Sequence, residues 1–210
     1  KQSAHIVLKD FKIDGQNINY IDGVKAEGTS GNWAHHIILE DLTIVGYGAN
    51  QSNCGISTKC PAWDWIIRDC VVDTAGTGLY LGNSNGEDPF VNGIIEYNGV
   101  KNTVGYNMQI KHQNVGSRDV QGMTLNGKTI IRHNVFSKAS NSGSSKFRPN
   151  LLVGNFPDTG DGSNDYYEIY GNFLWQNPDE ALFQGTGNVM FYNNICVNYA
   201  GGSGITFQSH

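Results

Sequence analysis

The stretch from residue 105 to residue 114 carries the densest set of chemically capable side chains in this 210-residue chain. If the apolar Met108 and Ile110 point inward on a strand, Asn107, Gln109 and Lys111 project outward together. An amide can exchange two hydrogen bonds with sugar hydroxyls, and a lysine supplies a positive charge or, with a lowered pKa, a base. The stretch therefore favours a polysaccharide as ligand.

Further polar residues stand on, or just beyond, equivalent segments elsewhere in the chain. The predicted groove floor consists of Tyr80, Asn83, Gln109, Lys111, His112, Asn155 and Gln184. Five long loops are expected to wall this groove on one side: 47–53, 83–92, 113–127, 138–149 and 155–165. Aromatic faces suit sugar rings and amides suit sugar hydroxyls, so Tyr80, Asn83, Gln109, Asn155 and Gln184 are the predicted substrate-binding residues.

A short phrase that recurs about every 30 residues predicts how these side chains are positioned. Two apolar residues are followed by two variable ones, an Asp or Asn, and another apolar residue. The Asp/Asn column comprises Asp10, Asp41, Asp69, Asn98, Asn134, Asn172 and Asn194. A recurring unit of this length predicts a solenoid, in which Asp or Asn suits a bend and stacks into a ladder of amides and carboxylates.

Two apolar columns flank the Asp/Asn column, and both are predicted to face a shared core. Three positions before it stand Val7, Ile38, Ile66, Ile95, Ile131, Ile169 and Phe191, expected in one buried stack. One position after it stand Phe11, Leu42, Cys70, Gly99, Val135, Phe173 and Ile195. β-Branched and aromatic residues dominate, and the apolar runs are too short for helices.

A second short strand is predicted in each unit, often with a glycine at the corner before it. These strands contain Val24, Ile56, Leu79, Met108, Leu151, Leu182 and Ile205. Two or three short strands per coil predict an all-β fold: a single-stranded right-handed parallel β-helix solenoid of about seven coils. Residues 1–210 are expected to form a single domain.

This pattern resembles the right-handed parallel β-helix superfamily, the pectin-lyase-like fold, over almost the whole chain. Its lyases abstract the proton α to a uronate carboxylate with a Lys or Arg base, and they neutralise the carboxylate with Ca²⁺ or Arg. The resemblance implies that Lys111 is the base with His112 as its helper. It implies that Arg132 and Arg148 bind the carboxylate.

Each of these roles has a structural alternative. Lys111 can be a solvated lysine on the outer wall, and His112 can cap its strand. Arg132 aligns with Glu96 of the preceding unit, so an ion pair between stacked coils accounts for both residues. Arg148 follows a Ser/Gly-rich segment typical of a flexible loop.

A calcium ion is possible beside the groove, and no other cofactor is predicted. Asp158, Asp161 and Asp165 offer carboxylates within one loop, although their spacing does not match an EF-hand. The Lys111 strand itself contains no acidic residue, which departs from the calcium-dependent lyases.

The cysteines indicate the redox compartment in which the protein is expected. Cys54 and Cys60 flank five residues and are predicted to form a disulfide, which requires an oxidising environment and favours an extracellular or cell-surface location. The absence of CxxC or clustered Cys/His spacing argues against zinc.

Charge and hydropathy exclude some classes of binding partner. A formal charge of −5 without a basic block argues against nucleic acid, and no apolar run is long enough to span a bilayer. The expected partner is an acidic or neutral polysaccharide. Both ends read as strand without caps, so the chain is expected to be part of a longer one and to self-assemble through its solenoid ends.

Three functions remain open at this point. The first is a polysaccharide lyase or uronate epimerase that acts through Lys111. The second is a non-catalytic β-helix that binds glycan or builds a surface assembly. The third is a glycoside hydrolase, for which the sequence shows no pair of aspartates on a strand.

Overall fold

The computed structural model describes residues 2–28, 31–139, 147–199 and 201–208. These residues form strands joined by turns and bends, with no helix among them. Every strand pair is parallel, and the predicted all-β architecture with parallel sheets is confirmed. The arrangement is compatible with a parallel β-helix. The Ser/Gly-rich segment 141–146, which the sequence suggested as flexible, lies outside the described residues.

The strands belong to two sheets. The larger sheet contains β1 (Gln2–Asp14), β3 (Trp33–Tyr47), β5 (Ala62–Trp63), β6 (Ile66–Arg68), β7 (Val71–Ala75), β9 (Phe90–Val91), β10 (Ile94–Glu96), β11 (Gly99–Lys101), β13 (Lys128–Arg132), β14 (Val135–Ser137), β16 (Tyr166–Tyr170), β17 (Phe173–Trp175), β19 (Val189–Tyr192) and β20 (Ile195–Val197). The smaller sheet contains β2 (Val24–Glu27), β4 (Cys54–Lys59), β8 (Thr77–Leu81), β12 (Met108–Ile110), β15 (Leu151–Val153), β18 (Phe183–Gly185) and β21 (Ile205–Phe207).

The larger sheet covers two sides because the long strand β3 pairs differently along its length. Residues Ile38 to Glu40 of β3 pair with β6, and residues Thr43 to Tyr47 pair with β7. We call the side that continues through β6, β10, β13, β16 and β19 the first wall. The side that continues through β7, β11, β14, β17 and β20 is the second wall, and the smaller sheet is the third wall.

The third wall is built from the second strand predicted in each repeat. Its strands follow one another in chain order from β2 to β21, and each pairs in register with the next. Met108 and Ile110 are completely buried, so the alternation that the sequence predicted in β12 places them in the core. Asn107, predicted to point outward, is also buried, and its side-chain nitrogen donates to Thr103 Oγ1 at 3.0 Å.

The predicted buried stack is wrong in its first three members. Val7 is 58% exposed, and Ile38 and Ile66 are half-buried on the outer side of the first wall. The strand pairing instead stacks Leu8, Leu39, Ile67, Ile95, Ile131, Ile169 and Phe191. A shift of one residue moves a side chain to the opposite face of a strand, and adjacent apolar residues on both faces concealed the true register.

The same shift separates the Asp/Asn column into two columns. Asp10, Asp41 and Asp69 have φ angles of 63°, 52° and 56°, so they occupy the left-handed bend suggested for them. Arg68 pairs beside Glu96, so the next residue, Asp69, aligns with Tyr97, and Cys70 aligns with Asn98. The aspartates therefore share a column with Tyr97 and His133 rather than with the asparagines.

The asparagines form the predicted ladder inside the protein. Asn98 donates from its side-chain nitrogen to Asn134 Oδ1 at 3.0 Å, Asn134 donates to Asn172 Oδ1 at 2.9 Å, and Asn172 donates to Asn194 Oδ1 at 2.9 Å. Each of these oxygens also accepts from the backbone N–H of the preceding asparagine. In the earlier repeats this column is apolar, with Leu42 and Cys70 buried in it.

The second flanking column, predicted to be buried, is also divided. Leu42 and Cys70 are buried, whereas Phe11, Val135 and Ile195 are exposed. Val135 and Ile195 sit on the outer side because the register shift reverses which face this column occupies. Phe11 pairs beside Leu42 and shares its inward column, but β1 pairs with β3 alone, so Phe11 stays partly uncovered. The described part of the chain has no helix with the length and apolar character needed to cross a bilayer.

Candidate functional site

The outer face of the third wall carries a groove whose floor is set by strand register. Tyr80 pairs beside Gln109, Gln109 beside Leu152, and Leu152 beside Gln184. Their side chains therefore lie in one outward column, with neighbouring strands about 4.8 Å apart. This register brings together three of the predicted substrate-binding residues.

Lys111 follows β12 and lies between two glycines on the neighbouring repeats. Its backbone N–H donates to Leu81 O at 2.8 Å, and the N–H of Gly154 donates to Ile110 O at 2.9 Å. Gly82 therefore lies on one side of Lys111 and Gly154 on the other. A Cβ on Gly82 would stand 3.3 Å from the Lys111 Cβ, so the glycine leaves room for the lysine side chain.

Cations lie over aromatic rings in the groove. Lys111 Nζ is 5.1 Å from the centre of the Tyr80 ring, and Lys59 Nζ is 5.6 Å from the same centre. The Arg148 guanidinium is 5.6 Å from the centre of the Tyr106 ring. Contacts of this kind hold the cations in place without neutralising their charge.

Burial and a neighbouring cation act on the titration of Lys111. Desolvation lowers the pKa of its ammonium group, and the positive charge of Arg148 lowers it further. Both effects favour the neutral amine, which is the form that can accept a proton.

Two adjoining clefts make up the groove, with volumes of about 420 Å³ and about 480 Å³. Tyr106 and Lys111 line both clefts and join them. The smaller cleft adds Lys59, Tyr80, Gln109 and Arg148, and the larger adds His112, Asn155, Asp158 and Gln184. Seven of the predicted catalytic and substrate-binding residues thus share one groove: Tyr80, Gln109, Lys111, His112, Arg148, Asn155 and Gln184.

Two buried polar atoms on this groove have no hydrogen-bond partner among the described residues. They are Oε1 of Gln109 and Nε of Arg148. Gln109 is only 3% exposed, so its orphaned oxygen carries a desolvation cost.

Arg132 does not belong to the groove. It lies on the first wall, where its Nε donates to Glu96 Oε2 at 2.7 Å and a terminal nitrogen donates to the Tyr170 hydroxyl at 2.9 Å. The ion pair between repeats that the sequence offered as an alternative is present. The strand pairing aligns Lys9, Glu40, Arg68, Glu96 and Arg132 in one column of alternating charge.

Asn83 serves its own loop rather than the groove. Its side-chain nitrogen donates to Asp88 Oδ2 at 2.8 Å, and its backbone N–H donates to Asp88 O at 3.0 Å. It lines neither cleft, because these two bonds close the loop between residues 83 and 88.

The three aspartates suggested for calcium do not come together. Asp165 is 3% exposed and forms an ion pair with the equally buried Arg118 at 2.5 Å, while its other oxygen accepts from the N–H of Gly127. Asp158 and Asp161 are exposed. Among the described residues, they are not part of a group of side chains whose ligand atoms converge on one point. The Asp165 carboxylate holds the loop that precedes β13 instead.

The predicted disulfide is wrong. Cys54 and Cys60 are both free thiols. Cys54 begins β4 and Cys60 follows its end, so an extended strand separates them by roughly 20 Å, beyond disulfide reach. Cys54 lines the smaller cleft, but burial raises the pKa of its thiol to about 12, so it remains protonated.

Two groove residues escaped the sequence reasoning, namely Lys59 and Tyr106. Tyr106 stood in the stretch singled out above but was given no role. Lys59 was assigned to a loop between the cysteines, although it ends β4 and lies two positions beyond Ser57, the partner of Tyr80. Extending the strand register to Lys59 would have found it.

Comparison with protein-family models, with curated proteins and with solved structures finds no match for this chain. Its function therefore has to be inferred from the groove.

Proposed function

We propose that this chain is a right-handed parallel β-helix of about seven coils, related to the pectin-lyase-like proteins. Its groove binds an acidic polysaccharide and acts on it as a lyase or uronate epimerase. The observation that carries this proposal is the presence of Lys59, Lys111 and Arg148 in the smaller cleft, whose lining contains no carboxylate. None of these cations forms an ion pair among the described residues.

The binding step follows from the chemistry of the lining. Uronate carboxylates pair with the cations, sugar rings lie on Tyr80 and Tyr106, and hydroxyls bond to Gln109, Asn155 and Gln184. The groove crosses successive repeats, so a linear polymer fits it better than a small metabolite.

The chemical step assigns the base to Lys111. Its neutral amine removes the proton α to the uronate carboxylate, and the electron pair of that C–H bond forms a carbanion delocalised into the carboxylate. Arg148 and Lys59 stabilise the developing negative charge. In a lyase the electron pair then forms a double bond as the neighbouring glycosidic C–O bond breaks, and His112 helps by protonating the leaving oxygen. In an epimerase a proton returns to the opposite face of the carbanion.

The test is an incubation of the protein with a panel of uronate polymers, with absorbance read at the ultraviolet band of the unsaturated product. We expect one polymer to yield product and Lys111→Ala to lower the rate by about 10²–10⁴-fold. The melting temperature of Lys111→Ala should stay within a few degrees of the wild type. Lys128→Ala on the first wall is the matched control and should keep the wild-type rate.

Epimerisation is distinguished from elimination in the same experiment. Polymer recovered from deuterium oxide would carry deuterium at the α carbon without any ultraviolet product. The proposed enzymatic function is contradicted if no uronate polymer yields either the ultraviolet product or deuterium incorporation, or if Lys111→Ala retains the full rate.

Non-catalytic glycan binding or surface assembly is the second candidate. Apolar side chains on the last strands favour it, since Ile195 is 61% exposed and Phe207 is 66% exposed. In this case the groove would bind polymer without turnover, and concentration-dependent assembly would be lost in Phe207→Ser. Glycoside hydrolysis finds less support, because Asp158 is the one carboxylate that lines either cleft in the described part of the chain.

An extracellular or cell-surface location remains part of the proposal because polysaccharides of this kind are found there. The free cysteines remove the support that a disulfide would have given. The proposed location therefore rests on the polysaccharide ligand alone, and it loses its support if no uronate polymer binds to the protein.

A further inference from the structure

Three histidines meet on the outer side of the first wall, where β1 and β3 pair. His5 and His36 are exposed and His35 is half-buried. One ligand atom from each histidine lies within 4.8 Å of those of the other two. Ala4 pairs with His35 and Ile6 with Ile37, so His5 stacks directly beside His36 although 31 residues of sequence separate them.

The backbone presents two of these side chains in an unusual conformation. His5 and His36 have φ angles of 57° and 53°, in the left-handed region that few non-glycine residues adopt. Asp64 and Asn92 continue the same column with φ angles of 56° and 54°. The column therefore projects two imidazoles and a carboxylate outward on successive repeats.

The ring nitrogens face one another in a way that calls for a cation. Nδ1 of His35 and Nδ1 of His36 are 2.7 Å apart. Nε2 of His36 lies 3.6 Å from Asp64 Oδ2, and Nε2 of His35 lies 3.4 Å from Gln2 Oε1. In the tautomers that place a proton on each Nε2, toward the Gln2 and Asp64 oxygens, both Nδ1 atoms offer lone pairs to an ion; without an ion, a proton on one Nδ1 makes their contact a hydrogen bond.

Neighbouring side chains fix the orientation of the two rings. The His35 ring stacks on Trp63 with centroids 4.5 Å apart and planes 9° from parallel, and Trp63 is itself buried. Asp64, which faces His36, accepts a hydrogen bond from the side-chain nitrogen of Asn92. A carboxylate behind a histidine is the usual outer partner of a metal ligand.

We propose that His5, His35 and His36 bind a divalent transition-metal ion of the zinc class, with Asp64 orienting His36 from behind. Imidazole nitrogens suit zinc and its neighbours better than calcium or magnesium. Zn–N bonds of about 2.0–2.1 Å in tetrahedral geometry place ligand nitrogens roughly 3.3 Å apart, so a small rotation of each ring opens the present 2.7 Å contact.

The site is independent of the polysaccharide groove. The cleft lined by His5, His36 and Asp64 shares no residue with either groove cleft. A bound ion would join β1 to β3 and so fasten the first described strand to the rest of the wall. The spacing of cysteines and histidines argued against zinc, because His5 joins His35 and His36 only through strand stacking.

The test is a zinc titration of the full chain by calorimetry, with Co²⁺ absorption as a spectroscopic readout and Ca²⁺ as the oxygen-preferring control. We expect one Zn²⁺ per chain and no binding of Ca²⁺ at these residues. His5→Asn and His36→Asn should each weaken zinc binding at least about tenfold, and Asp64→Asn by about 10–100-fold. Asparagine is chosen because it tolerates the left-handed conformation of these positions.

His133→Asn is the matched control, because His133 is also exposed and has a φ angle of 56°. It should bind zinc like the wild type. The proposal is overturned if zinc fails to bind saturably, or if His36→Asn binds as tightly as His133→Asn. Should the His36 variant fail to fold, ¹⁵N histidine spectra of the wild type decide: zinc must shift the His5, His35 and His36 signals and leave His133 unchanged.

Discussion

The cations on the first wall and the cations in the groove differ in what surrounds them. On the first wall, Arg132 is paired with Glu96, and Lys128 lies 2.8 Å from Glu168. In the groove, Lys111 and Lys59 lie over the Tyr80 ring, and neither forms an ion pair among the described residues, although Glu27 pairs beside Lys59 on the neighbouring strand. Charge on the wall joins one repeat to the next, whereas the groove cations lack such a partner; in the proposed function a uronate carboxylate supplies it.

The difference matters more because the whole chain is acidic. A protein with a formal charge of −5 that collects three unpaired cations in one cleft concentrates positive potential there. The wall pairs are partly exposed to solvent through their cationic members, so water screens them and each contributes modestly to stability. The two kinds of cation should therefore respond differently to substitution.

The largest loss of unfolding free energy is expected from a substitution in the buried column of the first wall, which strand register assigns. Ile131 is fully buried, and Ile130 beside it is half-buried on the outer side of the first wall. Ile131→Asp buries an unpaired charge and should cost more than about 4 kcal/mol of unfolding free energy, measured by urea denaturation. Ile130→Asp is the control and should cost far less, and equal losses would contradict the assigned register.

A smaller loss is expected from the buried ion pair between Arg118 and Asp165. Asp165→Asn leaves the Arg118 guanidinium buried without its counter-charge and should cost about 3–5 kcal/mol. Glu168→Gln on the first wall breaks a partly exposed pair with Lys128 and should cost less, about 1 kcal/mol. If chemical denaturation finds the two variants equally stable, burial is not what separates these pairs.

The smallest effect concerns how the groove cations influence each other. Lys111 acts as a base only when deprotonated, so the rate should rise with pH through its lowered pKa. Arg148→Met removes one of the two causes of that lowering, so the pKa rises and the pH–rate profile moves to higher pH. The shift should be modest, because desolvation is the larger cause.

Arg132→Met tests whether that shift is specific to the groove. Arg132 carries the same charge but lies on the first wall against Glu96. Its substitution should leave the pH–rate profile in place. A profile that stays fixed in Arg148→Met, or moves to lower pH, would contradict the coupling.

The sequence predicted the stacking of repeats and the third wall well, because periodicity and strand alternation are local signals. It misplaced the first three members of the core stack, because Ile37 and Ile38 are both apolar and only pairing shows which one is buried. Ile37 is 4% exposed, whereas Ile38 faces outward. The aspartates and asparagines were merged for the same reason: both suit the phrase, but one occupies the bend and the other the ladder.

The groove was predicted in outline because its floor follows strand register. The individual roles were harder, since they depend on partners that periodicity does not reveal. The sequence around Asn83 does not indicate that its side-chain amide donates to Asp88. The sequence around Asp165 likewise does not indicate that it pairs with a buried arginine 47 residues away. The histidine cluster shows the same limit, because its members converge only in three dimensions.

The most direct test of the central claim is calorimetric binding of one uronate oligosaccharide to Lys59→Ala, Lys111→Ala and Lys128→Ala. If the unpaired cations hold the ligand, each groove variant should bind at least about tenfold more weakly, or about 1.4 kcal/mol, and binding should weaken as salt rises. Lys128→Ala should bind like the wild type. Equal affinity in all three variants, or no saturable binding to the wild type by any uronate oligosaccharide, would contradict the account.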